Sequence, residues 1–248
     1  MAIFPEVSFV ISCFNSNATI ALALDSCLSQ DYPNVSIFVA DDGSFDNTPE
    51  ILLSYLSGNP NLYLFMWPNM GFSASLNTLV SFVTAPYIAR FDSDDVNYSY
   101  RISSSLSFLL DNNLDFAGSN VDFYDYFNQR QMLKSSVPLD KDSIIWSSCL
   151  KNPFNHPTMI IKTSLLKLYP YTSSFLFQPE DYWLWSKLIF KKYKFANLDL
   201  SLCRYTINSG SSMTNKFGVA IYLQILILRA YNFSRFIFHI CFRNYSRK

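Results

Sequence analysis

Asp92, Asp94 and Asp95 bring three carboxylates into four residues, directly behind the apolar run 85–91, whose composition predicts a short buried strand. Two carboxylates about 6 Å apart repel by roughly 3 kcal/mol at an effective dielectric near 20, and by under about 1 kcal/mol in bulk water. A cation at the mouth of the strand relieves that repulsion. Oxygen-only ligands without a nearby His or Cys favour Mn2+ or Mg2+ over Zn2+, and a hard ion with open positions suits a diphosphate. The same four residues also fit a solvated turn, because Asp and Ser are ordinary turn formers.

Which reading holds depends on the elements around the cluster. The sequence predicts a buried strand at 7–12, a helix over 18–30 entered through Asn15-Ser16-Asn17, and a second strand at 35–40. Asp41-Asp42-Gly43-Ser44 turns out of that strand into a helix over 48–57, followed by a strand at 62–66, a turn at 69–72, a helix over 73–83 and a strand at 87–91. Strand and helix alternate with short connections, so right-handed crossovers give an α/β fold with a mostly parallel sheet flanked by helices. Ligands of such sheets bind beyond the carboxyl ends of the strands. Asp41 and Asp42 are thereby expected to share an edge with Asp92, Asp94 and Asp95. Beyond Tyr98 the pattern predicts helices over 101–111, 140–150 and 180–191 and strands at 115–119, 158–162 and 196–205; residues 121–137 read as a hairpin or an irregular excursion.

The 248 residues are half hydrophobic and 15% charged, which suits one large folded domain and excludes long disorder. Five scattered cysteines with no C-x-x-C pair read as buried, reduced thiols of a cytoplasmic protein, and the N-terminus has no basic leader pattern. Net charge is zero but polarised: residues 1–100 carry ten acids against Arg90 alone, whereas 200–248 carry seven bases and no acid. The acidic half repels nucleic acid, and the basic tail is drawn to an anionic surface.

The first hundred residues resemble the family 2 glycosyltransferases, inverting enzymes of GT-A fold that use nucleotide-sugar donors. The resemblance rests on residues 7–15, Leu28-Ser29-Gln30-Asp31-Tyr32-Pro33, the stretch 39–48, residues 69–77, the stretch 87–95 and, more distantly, Pro179-Glu180-Asp181-Tyr182. It implies a GT-A, Rossmann-like domain over 1–217, with a nucleotide-binding half at 1–110 and an acceptor-binding half at 111–217. It implies a nucleotide site built by Ser12, Asn15, Asp41, Asp42, Asn69, Gly71, Asn77 and Asp92, with Asp41 accepting the imide N–H of a uracil-type base. Asp92 and Asp94 would form the metal-binding DXD motif, with Asp95 as third carboxylate. Asp181 would be the base that takes the acceptor proton and Glu180 its supporting acid. His156 and Trp183 would lie on the acceptor side. Each position keeps a plainer alternative: turn capping for Asp41 and Asp42, a positive φ for Gly71, helix-dipole pairing for Glu180 and Asp181, a structural hydrogen bond for His156 and core packing for Trp183. Ser12-Cys13-Phe14-Asn15 departs mildly from the family's usual Pro-x-Tyr-Asn, and Trp183 stands where another acid is common.

The implied activity is metal-dependent transfer of a hexosyl or N-acetylhexosaminyl group from a UDP-type donor to a hydroxyl of a glycan or lipid-linked glycan in surface polysaccharide synthesis. Two other classes compete. A sugar nucleotidyltransferase would need a Gly-rich basic loop near the N-terminus, and residues 1–89 contain no Lys or Arg. An inactive homologue serving as a membrane-associated binding module would be expected to lose acids that are retained here. In the tail, 218–248 predicts a basic amphipathic helix: Arg229, Asn232, Arg235, His239, Arg243 and Arg247 fall within an arc of about 120°, while Leu226, Tyr231, Phe233, Phe238 and Phe242 lie outside it. Such a helix suits the anionic inner face of the cytoplasmic membrane or docking on protein.

Overall fold

The computed structural model describes residues 4–172, 179–191, 193–207 and 225–237. Strands β1 (Val7–Cys13), β2 (Val35–Asp41), β3 (Leu62–Met66) and β4 (Tyr87–Arg90) alternate with helices α1 (Ile20–Leu28), α2 (Thr48–Leu56) and α3 (Phe72–Phe82). They form the parallel run β3-β2-β1-β4. Both faces of β1 and β2 are buried, and the alternation sorts their side chains into two cores. Phe9, Ile11, Ile37 and Val39 join α1, α2 and α4 (Arg101–Asp111). Val10, Phe38 and Ala40 join α3 and the later helices α5 (Lys141–Ser148), α6 (Thr163–Leu168) and α7 (Glu180–Ile189). That two-sided cover is why these strands read as apolar runs.

Beyond β4 the sheet becomes mixed. β8 (Ile160–Lys162) runs antiparallel to both β4 and β6 (Phe116–Asp125), β9 (Phe195–Ile207) lies parallel to β6, and the short β5 (Val96–Asn97) closes the edge on β9. The ambiguous segment is a hairpin: β6 continues to Asp125 and β7 (Arg130–Lys134) returns antiparallel, every residue exposed. β5 and α6 were absent from the expected elements because two and six residues are too short for a period to show. The expected strand at 158–162 begins instead as a 3-10 turn, His156–Thr158.

Two features bring the carboxyl ends of the parallel strands together. Register pairs Cys13 with Asp41 and Val10 with Arg90, so β1, β2 and β4 end on one edge. Arg101, fully buried, then fixes the exit of β4. Its guanidinium sits 5.2 Å from the ring of Phe9 and 5.0 Å from that of Phe91, and donates to the Arg90 carbonyl at 2.5 Å and to Asn97 Oδ1. A charge so enclosed is tolerable because rings and carbonyl oxygens replace its water. The four described cysteines, Cys13, Cys27, Cys149 and Cys203, are buried and unpaired; Cys241 lies outside the described residues.

The C-terminal helix α8, described over 225–237, corrects the expected orientation. Asn232, assigned by sequence to the polar arc with the arginines, is fully buried and donates through Nδ2 to the Ser148 carbonyl (2.7 Å) and Ser186 Oγ (2.9 Å). Leu228 is fully buried beside it, and Phe236 packs on Trp146 with ring centroids 5.2 Å apart. The helix therefore docks on α5 and α7, leaving Leu226, Ile227, Phe233 and Ile237 exposed. His239, Arg243, Arg247, Phe238 and Phe242 lie outside the described residues. Among the described residues no helix is long and apolar enough to cross a membrane.

Candidate active site

The loops after β1 and β2 are tied to each other. Asn15 sits at φ 51, a conformation Asn tolerates; its N–H donates to Ser44 Oγ (2.8 Å) and its Oδ1 accepts from Phe45 N (2.8 Å). Ser44 in turn donates, through both N–H and hydroxyl, to Asp41, whose side chain is nearly enclosed. Asp46 clamps the next turn by accepting from Thr48 and from Asn17 N. Ser12 lies inside this edge, 2.7 Å from Ser75 Oγ. Phe14 and Phe45 stand at its lip, edge to face at 5.8 Å, with Phe45 88% exposed. A bare aromatic pair beside Asn15 and Asp41 was not anticipated; the signal was an aromatic directly preceding Asn15 and another following Gly43-Ser44.

Asp42, Asn69 and Gly71 form one unit. Both Asp42 oxygens accept backbone N–H groups, from Met70 and Gly71 at 3.0 Å each, and Asn69 Nδ2 donates back to the Asp42 carbonyl at 2.9 Å. Gly71 takes φ +88 where it opens α3, and Gly43 takes φ +78 with Asn69 N only 2.6 Å from where a Cβ would lie. Asp42 and Asn69 thus hold the loop itself. Asn77 is placed elsewhere: its carboxamide exchanges two hydrogen bonds with the backbone of Tyr171, at 2.7 and 2.9 Å.

At the exit of β4 the three acids differ. Asp92 pairs with the buried Arg90, whose guanidinium lies 5.2 Å from the centroid of the Phe72 ring. Burial opposes the Arg90 charge, yet Asp92 and its neighbours together outweigh it and hold its pKa above the usual value. Asp95 is enclosed and accepts from Thr206 N of β9 at 2.8 Å; among the described residues its other oxygen has no hydrogen-bond partner. Asp94 is partly open, and burial together with the Asp92 charge pushes its carboxyl up to about 6. Burial, Asp92 and Asp94 raise Asp95 further. Among the described residues no three His, Cys, Asp or Glu side chains form a ready metal cage. The expected Asp92, Asp94, Asp95 set does not converge because Arg90 takes the first and β9 the third. The donors still fit a hard cation. Negative charge is in excess, as the raised carboxyls show, one Asp95 oxygen is orphaned, and Asp94 is open.

Across from this cluster, Glu180 and Asp181 begin α7. Asp181 Oδ2 accepts from Asn152 Nδ2 and Oδ1 from Tyr182 N, both at 2.7 Å. Closely surrounded yet with an accessible edge, it is pushed up to about 7 by burial and by Glu180, against the pull of Arg90. Burial raises Glu180 as well, and the Asp92 charge adds to it while Arg90 opposes it. His156 lies in the wall: Nε2 is 2.9 Å from the Tyr171 hydroxyl, with Phe72, Tyr171 and Trp185 packed round the ring. Burial and Arg90 hold its pKa well below the usual value, so it stays neutral. Trp183 packs on Tyr231 of α8 at 6.1 Å. Arg90, Tyr171 and Asn152, which hold Asp92, His156 and Asp181 in turn, had no motif to announce them; an arginine inside an otherwise uncharged strand was the one available signal.

One edge therefore carries a tied, acid-lined loop pair, an open carboxylate beside a paired one, and a second carboxylate whose pKa lies near neutrality. The chain is similar, at 28% identity over 85% of its length and 81% of the relative's, to the UDP-Glc:alpha-D-GlcNAc-diphosphoundecaprenol beta-1,3-glucosyltransferase WfgD of Escherichia coli. Among solved structures it resembles residues 1–349 of S. aureus TarS in complex with UDP-GlcNAc, with a TM-score of 0.74 at 21% identity, covering 92% of this chain and 66% of that one. It also resembles the mannosyltransferase PcManGT from Pyrobaculum calidifontis in complex with GDP-Man and Mn2+, with a TM-score of 0.66 at 14% identity, covering 95% of this chain and 74% of that one. These likenesses show the GT-A fold, and residues 8–178 match the model of Glycosyl transferase family 2; the chain belongs to that family of glycosyltransferases.

Proposed function

We propose that the protein is an inverting glycosyltransferase that moves a sugar from a UDP-linked donor to a hydroxyl of a glycan or lipid-linked glycan in surface polysaccharide synthesis. The observation that carries the reading is Asp181: a carboxylate at the start of α7, fixed by Asn152 and Tyr182 N and brought near neutrality by burial and Glu180. A base of that pKa is half ionised at neutral pH and still basic enough to draw a proton from an attacking hydroxyl. Inversion follows from attack on the anomeric carbon from the side opposite the leaving diphosphate. Glu180 keeps negative charge beside Asp181 and sustains its basicity.

On the donor side, Asp41, Ser12 and Asn15 would hold the nucleoside, with Phe14 and Phe45 offering aromatic faces to the base. Asp42 and Asn69 would act by shaping the loop through Gly71. Asp94, with the orphaned oxygen of Asp95, would hold Mn2+ or Mg2+, which when bound supplies positive charge to the leaving diphosphate. The complexes of the neighbours support donor and metal: TarS was solved with UDP-GlcNAc and PcManGT with GDP-Man and Mn2+. The name of WfgD, a transferase to a diphosphoundecaprenol-linked sugar, supports a lipid-linked acceptor. A peripheral position at the inner face of the cytoplasmic membrane fits that acceptor and the exposed Leu226, Ile227, Phe233 and Ile237 of α8.

The test is transfer by the purified chain from a panel of UDP-sugars to synthetic lipid diphosphate sugars, with the product anomer read by NMR. Transfer with inverted configuration is expected, reduced at least a hundredfold by Asp181→Asn in a folded variant. A retained configuration, or undiminished turnover in that variant, removes the assignment.

A further inference from the structure

On the other side of β4 from β1 and β2, a cavity of about 120 Å³ opens between the start of α1, β5 and the far ends of β6 and β9. Asp94 lines it, together with Arg204, Thr206, Tyr124, Tyr126 and Gln129; Leu22 and Val96 give it an apolar wall. We propose that this cavity is a subsite for a sugar ring of the acceptor glycan, a proposal that rests on the glycosyltransferase reading for whose sugar it is, though not for its chemistry.

The lining has the mixed character that a polyhydroxylated ring requires. Asp94 when ionised only accepts hydrogen bonds, Arg204 only donates, and Tyr126, Thr206 and Gln129 do both. Arg204 is the unsatisfied member. It lies 4.2 Å over the Tyr124 ring, makes no ion pair among the described residues, and its buried Nε has no hydrogen-bond partner. As a lining residue held on the Tyr124 ring without an ion pair, Arg204 can turn a terminal guanidinium N–H to an acceptor in the cavity. A hydroxyl or ring oxygen fills that role without bringing a charge next to Asp94. The wall is prearranged: the Tyr124 hydroxyl donates to Gln129 Oε1 at 2.8 Å, Gln129 Nε2 donates to the Tyr126 carbonyl at 2.6 Å, and Gln129 takes φ 48 at the hairpin turn. The hairpin of β6 and β7 thus has work beyond extending the sheet.

The experiment is saturation-transfer NMR on the full chain with methyl glucosides and methyl N-acetylglucosaminides, with UDP binding followed in parallel. Millimolar binding is expected, at least tenfold weaker in Arg204→Gln and in the milder Tyr126→Phe and Gln129→Asn, with UDP affinity unchanged in all three. Equal glycoside binding by these folded variants, or none by the wild type while UDP binds, overturns the subsite and leaves the glycosyltransferase reading standing. Failure of UDP binding itself counts against that reading, and the glycoside signals still judge the cavity. Displacement of the glycoside by inorganic phosphate makes the cavity an anion site and overturns the proposal. Displacement by UDP-glucose but not by UDP assigns it to the donor sugar, and also overturns it.

Discussion

Asp181 carries two opposite consequences of one environment. Burial and Glu180 raise its carboxyl to about 7, and a base acts only when ionised, so kcat/KM should climb with pH through about 7 and level off above it. Stability should move the other way. An aspartate raised above its unfolded value of about 3.9 binds more protons folded than unfolded between those two values, so stability falls as pH rises from about 4 to about 7. Thermal unfolding across that window checks the sign: the wild-type melting temperature should decline, and Asp181→Asn should lose part of the slope together with the activity. A variant with an unchanged slope would show that the raised carboxyl lies elsewhere. Asp94 is the residue on which the cation reading is decided. UDP with Mn2+ should raise the wild-type melting temperature beyond UDP alone, because ligand stabilisation grows with occupancy. In Asp94→Asn the Mn2+ increment should vanish while the UDP shift persists; an intact increment assigns the ion to other ligands.

At the scale of elements, the donor edge depends on the contact between the β2 turn and the loop before α3. Gly43 cannot accept a side chain. Its φ of +78 alone costs alanine roughly 1–2 kcal/mol, and a Cβ 2.6 Å from the backbone N of Asn69 must push the loop away. Gly43→Ala should therefore lower stability and weaken UDP binding together, as chemical denaturation and calorimetry would show. Gly71→Ala meets no neighbour and carries the φ strain alone, so its effect should be the smaller of the two. Asp42→Asn leaves one of two backbone N–H groups without an acceptor, costing about 1–3 kcal/mol. If UDP affinity in Asp42→Asn stayed at the wild-type value, the loop would have no part in the nucleotide site.

At the scale of the whole molecule, α8 is part of the fold before it is anything else. Leu228 and Asn232 are fully buried, and Asn232 bonds to α5 and to α7, the helix that begins with Glu180 and Asp181. Asn232→Ala removes the donor to Ser186 Oγ and one of the two donors to the Ser148 carbonyl, which keeps the Tyr182 hydroxyl. The cost of about 1–3 kcal/mol should lower the melting temperature by several degrees. Deleting 219–248 should destabilise the protein in the absence of any lipid. A truncate as stable as the full chain would return the helix to a purely interfacial role. Charging the exposed face, by Ile227→Asp with Phe233→Asp, should instead spare stability and reduce sedimentation with anionic vesicles, which separates docking from lipid contact.

Much of this was legible in the residues. Alternation of apolar strands and helices determined the parallel half of the sheet, because both faces of each strand had to be covered, and the acids at the strand ends followed from the rule that such sheets bind ligands at their carboxyl edge. The sequence also named Asp41, Asp94 and Glu180-Asp181 as candidates by motif. It could not say which polar groups are already engaged. Asp42, Asn69, Asn77 and Asp95 have the composition of ligand contacts, yet their hydrogen bonds go to backbone groups brought near by register and loop closure. Helical periodicity likewise located the amphipathic tail but not the face that docks, because a buried asparagine with two partners looks, in sequence, like a solvated one. Pattern reports polarity; only tertiary contact decides whether water or protein satisfies it.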